Sequence, residues 1–153
     1  MATLNVTITE ELTLNGADRG STNTLSVASV TQVFHRIVTC PASSDTTVAN
    51  FQATTSTSDG ALDLQDVKYI RLTNLGTQPI NLSLQASSGE DGSADLSTTI
   101  LVDAGRSFIM GTPHDGIAIE DDTASIVTTL VDLESLIVDP GSNSVTIELF
   151  IAS

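Results

Sequence analysis

The sequence predicts an all-β protein, a single-domain antiparallel β-sandwich that is jelly-roll-like, and three observations carry that expectation. Apolar residues recur with period two, as in Leu4, Val6 and Ile8 or Val145, Ile147, Leu149 and Ile151, the alternation of a strand with one wet face. Threonine and serine fill the alternate places in "NVTIT", "INLSL" and "SVTIEL", which suits a pleated, half-buried surface. Glycine and proline fall between the runs, in "NGADRG", "CPASSD", "SDGA", "LGTQP", "SGEDGS", "DAG", "GTPHDG" and "DPGSN". Many short strands punctuated by turns indicate a sandwich or jelly roll.

In chain order, Leu4, Val6 and Ile8 define a strand over 3–8, and Leu12 with Leu14 one over 11–14. Val33 and the run Phe34 to Val38 extend a long strand over 24–38, followed by strands over 48–54 and 62–73. In "VKYIRLTNL", Ile70 and Leu72 lie on one face and Tyr69 and Arg71 on the other, because strand side chains alternate. Lys68 falls on the Ile70 side near the strand start, where its stem can snorkel. The turn "NLGTQP" sends the chain back through Ile80, Leu82 and Leu84, over 80–86, so that 66–86 reads as a central hairpin. Strands over 96–102, 106–110 and 117–119 follow. In "SIVTTLVDLESLIVDP", Ile126, Leu130, Leu133 and Ile137 also satisfy helical spacing. The β-branched residues and the Pro140-Gly141 turn favour strands over 126–131 and 135–138. Val145 to Ile151 close the list with a strand over 144–152.

At 153 residues the chain fits one domain, 1–153, large enough to bury a core without a metal or a disulfide. Hydrophobic residues make up 40% and aromatics only 3%: Phe34, Phe51, Tyr69, Phe108 and Phe150. Valine, isoleucine and leucine must therefore build the interior. Cys40 is the single cysteine, which excludes an internal disulfide and reads as a small core residue, not a nucleophile.

Nineteen acidic against five basic residues give a net charge of −14. Arg19, Arg36, Lys68, Arg71 and Arg106 are scattered along the chain, so no nucleic-acid partner is expected. The start "MATLNVTITEE" reads as no signal peptide, and no apolar run has the length of a membrane helix. Synthesis in a host cytoplasm and no membrane partner are the expectation.

Chemistry-bearing patterns are sparse. His35 and His114 are too isolated in sequence to form a recognisable ligand set, and no G-x-S-x-G elbow is present. In "GEDGSAD", Asp91, Ser93 and Asp95 alternate like the start of a calcium loop, with Glu90 beside them. The glycine and acid such a loop requires are replaced by Leu96 and Val102, so a solvated turn is the default and no cofactor is expected. "IEDDT" reads as a charged turn, and the sequons at Asn5 and Asn81 lie inside expected strands. Lys68, Tyr69 and Arg71 remain as candidate interface residues. Arg71 pairs either with an acid of its own fold, such as Asp63 or Asp66, or with a partner protein, since tyrosine and arginine are enriched where proteins meet.

Read together, "NVTITEELTLNGADRGSTNTLSV", "DVKYIRLTNLGTQPINLSL", "LVDAGRSFIM" and "SNSVTIELFIAS" resemble small β-rich structural proteins of marine and cyanobacterial tailed phages. The resemblance spans most of the chain in order and transfers no active-site residue. It implies a virion component, such as a capsid decoration or cement protein, with the major capsid protein or other virion proteins as partners. A tail or fibre accessory is the nearest alternative. A non-enzymatic homo-oligomer, a trimer or dimer, suits assembly on a symmetric lattice. The competing class is a carbohydrate-binding or adhesive sandwich. The absence of tryptophan and the single tyrosine weigh against it, because sugar recognition commonly uses exposed aromatic faces.

Overall fold

A computed structural model describes residues 2–52, 62–63, 65–86, 96–111, 117–119 and 130–153. Among them every regular element is a strand: β1 Ala2–Glu10, β2 Thr13–Leu14, β3 Ala17–Asp18, β4 Ser21–Val30, β5 Val33–Cys40, β6 Thr46–Gln52, β7 Leu62–Asp63, β8 Tyr69–Asn74, β9 Ile80–Ala86, β10 Leu96–Val102, β11 Ser107–Gly111, β12 Ala118–Ile119, β13 Val131–Asp139 and β14 Val145–Ala152. The all-β expectation holds. The expected strand over 24–38 is two strands, parted at Thr31 and Gln32, whose amides both donate to the Ser153 carbonyl oxygen. The expected strand over 62–73 is likewise two.

Two sheets pack face to face. One runs β11-β8-β14-β5 and the other β10-β9-β13-β6, with β7 added in parallel to β6. The links β5 to β6, β8 to β9, β10 to β11 and β13 to β14 each carry the chain from one sheet to the other, and this order is that of a jelly roll. The stretch 66–86 is consequently not a hairpin. β8 pairs with β11 and β14, whereas β9 pairs with β10 and β13. The turn "LGTQP" is an arch over the edge of the core, because the two apolar faces of these strands meet each other across the sandwich.

The interior is aliphatic. Ile70, Leu72, Ile147, Leu149 and Ile151 from one sheet meet Ile80, Leu82, Leu84, Leu133, Leu136 and Val138 from the other, all nearly or fully excluded from solvent. Two steps of three residues interrupt the alternation, and both come from bulges. On β13, Leu133 opposes Ala86 while Ser135 opposes Gln85, so an extra residue brings both Leu133 and Leu136 inward. On β4, Ala2 faces Val30 and Leu4 faces Val27; the extra residue sits by Ser29, at φ 58°, and turns Val27 and Val30 to the same side.

One end of the sandwich is laced by polar side chains. Asn74 is fully buried; its Nδ2 donates to the carbonyls of Gln78 (2.8 Å) and Val102 (3.1 Å), and its Oδ1 accepts from the Gly76 amide (2.9 Å). Gln78 in turn donates to the carbonyls of Pro140 and Asn143. Both sheets and three of the links are tied together there.

β1 and β4 form a separate two-stranded ribbon, tipped by the β2-β3 hairpin. Asn15 and Gly16, at φ 53° and 76°, make its two-residue turn of the type that matches strand twist. The ribbon lies across the outer face of β11-β8-β14-β5. There Leu4, Val6, Leu25, Val27 and Val30 form a second core with Tyr69, Ala152 and Phe150.

Candidate interaction face

The outer face of the β11-β8-β14-β5 sheet follows from strand alternation. Ile147, Leu149 and Ile151 point inward, so Glu148, Phe150 and Ala152 point out. Register then places Ile109, Arg71, Phe150 and His35 in one row across four strands. The adjacent row holds Ser107, Thr73, Glu148 and Ile37.

Glu148 is the centre of this face. Its Oε2 accepts from Arg71 Nη1 at 2.8 Å, and its Oε1 lies 2.8 Å from His35 Nε2. Arg71 Nη1 also donates to Thr73 Oγ1 at 2.7 Å, which is joined to Ser107 Oγ at 2.8 Å. The hydrogen bond from Arg71, with that to His35 next, holds the Glu148 carboxyl down at about 2, from an ordinary 4.5. The same bond pushes the Arg71 guanidinium further up. The rings of His35 and Phe150 are 5.7 Å apart, and Tyr69 meets Phe150 edge-on at 6.1 Å.

The three sequence-predicted interface residues separate. Arg71 is half-buried, and its partner is Glu148 of β14, not Asp63 or Asp66, because β14 is the strand beside β8. Tyr69 does share Arg71's face, but it is 3% exposed, covered by the ribbon, and the burial raises its hydroxyl pKa. It anchors the ribbon instead of projecting to solvent. Lys68 precedes β8, and its Nζ donates to the Ser29 carbonyl at 3.3 Å, on the bulge of β4. Glu148 and His35 carry the face and were not singled out by sequence. The parity of "VFHRIV" and "SVTIEL" could have placed them outward, but only register pairs them.

The part of this face beyond the ribbon is open and partly apolar. Ile37 is 67% exposed, Val33 56% and Ile109 41%. Of the basic residues on or beside these strands, Arg71 points to this face, where it is paired with Glu148, whereas Arg36 alternates with His35 and Ile37 and lies on the other side of β5. Glu148 is the one acid on the strands of this sheet, whereas the opposite sheet has Asp63, Asp132, Glu134 and Asp139 on its strands and no basic residue among those described. Arg36 stacks over Phe34 at 4.7 Å from the ring centroid.

Asp91, Ser93, Asp95 and His114 lie outside the described residues, as does most of "IEDDT". Among the described residues, no three His, Cys, Asp or Glu side chains gather as a metal group would require. Cys40 is buried at the end of β5, and desolvation raises its thiol pKa. On the outer face of the opposite sheet, Asn81, Ser83, Gln85, Thr99 and Asp139 line a shallow polar groove without an aromatic ring.

No family model matches the chain, and no curated protein does. A chain of the structure described as "Bacillus endospore appendages form a novel family of disulfide-linked pili" is similar to it at 14% identity and a TM-score of 0.38, over 84% of this chain and 95% of that one. Nothing of the neighbour's role, assembly or cross-linking comes with that likeness.

Proposed function

We propose that the protein is a non-enzymatic structural component of a phage virion, a capsid decoration or cement protein that bridges coat subunits. One observation carries the reading: a rigid aliphatic sandwich presents two contact surfaces that its own fold leaves unfilled, the open part of the outer face and the overhanging end of the ribbon. Exposed aliphatic groups beside a hydrogen-bonded charged cluster are the makings of an interface core with a polar rim. The jelly roll is a fold that viral capsid domains use, although it hosts lectins as well and does not specify function. The resemblance of "DVKYIRLTNLGTQPINLSL" and "SNSVTIELFIAS" to tailed-phage structural proteins supports the same reading.

Co-sedimentation of the purified protein with undecorated heads tests it, together with the resistance of those heads to heating. Binding at a fixed copy number per coat subunit, with a raised disruption temperature, is the expected result. Wild-type protein left in the supernatant removes the cement role and brings a tail or fibre accessory forward.

A further inference from the structure

The ribbon is longer than the sheet it crosses. Leu25 lies over β11, the edge strand: a Cβ on Gly111 would come within 3.1 Å of Leu25 Cδ2 and 3.3 Å of Tyr69 Cδ2. Every ribbon residue beyond Val6 on β1 and before Leu25 on β4 is exposed. The overhang from Val6 to Glu10 measures roughly 14 Å at about 3.4 Å per residue, the width of about three strands. Cross-strand bonds such as Ser21 Oγ to Glu10 Oε2, at 2.6 Å, keep it zipped.

This overhang is not wholly polar. Leu4, Val6 and Ile8 form one stripe by alternation. Leu4 and Val6 pack on the chain's own outer face, while Ile8 is 46% exposed and Leu12 and Leu14 in the tip hairpin are 54% exposed. The stripe's inner end thus already fits the outer face of β11-β8-β14-β5, and the remainder of that face leaves Ile37, Val33 and Ile109 in solvent.

We propose that the open face is occupied by the ribbon overhang of a second copy of this chain. Ile8 and Leu12 of one copy cover Ile37 and Val33 of the next. The contact takes the β5 side of the face and leaves the β11 side, with exposed Ile109, for the coat; it adds one partner to the proposed virion protein but rests on its own geometry. Reciprocal exchange closes a dimer, and one-way exchange builds a ring or a filament.

Sedimentation of the full chain tests the contact. Wild type is expected to form a species of at least twice 15.9 kDa. Ile8→Asp with Leu12→Asp, and separately Ile37→Asp, should each return it to 15.9 kDa with the β-sheet circular dichroism spectrum retained, since all three side chains are exposed in one copy. Mixing the two variants restores one intact overhang and one intact face, so larger species should reappear in the mixture alone. Ile8→Asp alone replaces the double variant if that one fails to fold. A wild type that stays monomeric, an assembly indifferent to these changes, or a mixture that stays dissociated overturns the proposal. Head binding reads the virion role separately: a monomer that binds heads removes only the ribbon contact, and a ribbon-dependent oligomer that ignores heads removes only the shell role.

Discussion

Glu148 and Asn74 show how differently two polar side chains can serve one sandwich. Arg71 and Glu148 are partly solvated, so their pair contributes about 1 kcal/mol. Arg71→Ala should lower the melting temperature by roughly 2–4 °C, and the same change should add little in a Glu148→Ala background if the pair acts as a unit. The folded Glu148 titrates at about 2 instead of 4.5. Its contribution is therefore complete above the unfolded value and is lost as pH falls from there toward the folded one. Glu148→Gln should flatten stability against pH across that interval in acid-unfolding curves. Asn74 is a different case, because it is fully buried with both amide atoms engaged. Asn74→Ala strands the Val102 carbonyl and the Gly76 amide and should cost on the order of 3 kcal/mol. Asn74→Asp keeps an acceptor but loses the donor and buries a charge, so at neutral pH thermal melts should find it no better.

At the scale of elements, the ribbon and the sandwich have separate cores. Tyr69 belongs to the ribbon's core, with Val27, Val30 and Ala152, while Ile70 and Leu72, its neighbours in β8, belong to the main one. Tyr69→Ala removes the largest side chain beneath the ribbon, a loss on the order of 3–5 kcal/mol for a buried ring. Hydrogen exchange should then report amides of β1 and β4 losing protection well before those of β13 and β14. Uniform loss across all strands would mean that ribbon and sandwich unfold as one unit.

At the scale of the whole molecule, charge is segregated. With a net charge of −14 and acids on the strands of the β10-β9-β13-β6 sheet, self-repulsion opposes the compact state. Raising ionic strength at neutral pH should increase the melting temperature, because screening acts on this repulsion between exposed charges. Asp132 is a local instance. Burial first, and the charge of Asp63 second, push its carboxyl pKa up. A raised folded pKa means that the ionised form opposes folding, so stability is gained as pH falls through that value. Asp132→Asn should accordingly stabilise the protein at neutral pH and have little effect once the carboxyl is protonated. Equal melts at pH 7 would assign the neighbourhood of Asp63 no energetic role.

Among the described residues, the sequence by itself determined the class of the strands that alternation marks, the aliphatic character of the core and the positions of the turns. These are local properties, written in which side chains alternate and where glycine, proline and asparagine permit a bend. It placed Arg71 and Tyr69 on one face correctly, because parity within a strand needs no partner. Only the tertiary structure decided that "LGTQP" is an arch between sheets, since a turn residue bends the chain identically whether the strands pair or part. Only register could give Arg71 to Glu148, 77 residues away, in place of nearby Asp63 or Asp66. The helical spacing of Leu130, Leu133 and Ile137 marks no buried face, and the strand reading stands in Val131–Asp139; what sequence could not show there is the bulge that brings Leu133 and Leu136 inward, because its evidence lies in the strand opposite. Tyr69 was expected in solvent and lies in a core, because what covers an outward side chain is a different part of the chain, the ribbon, brought over it by packing alone.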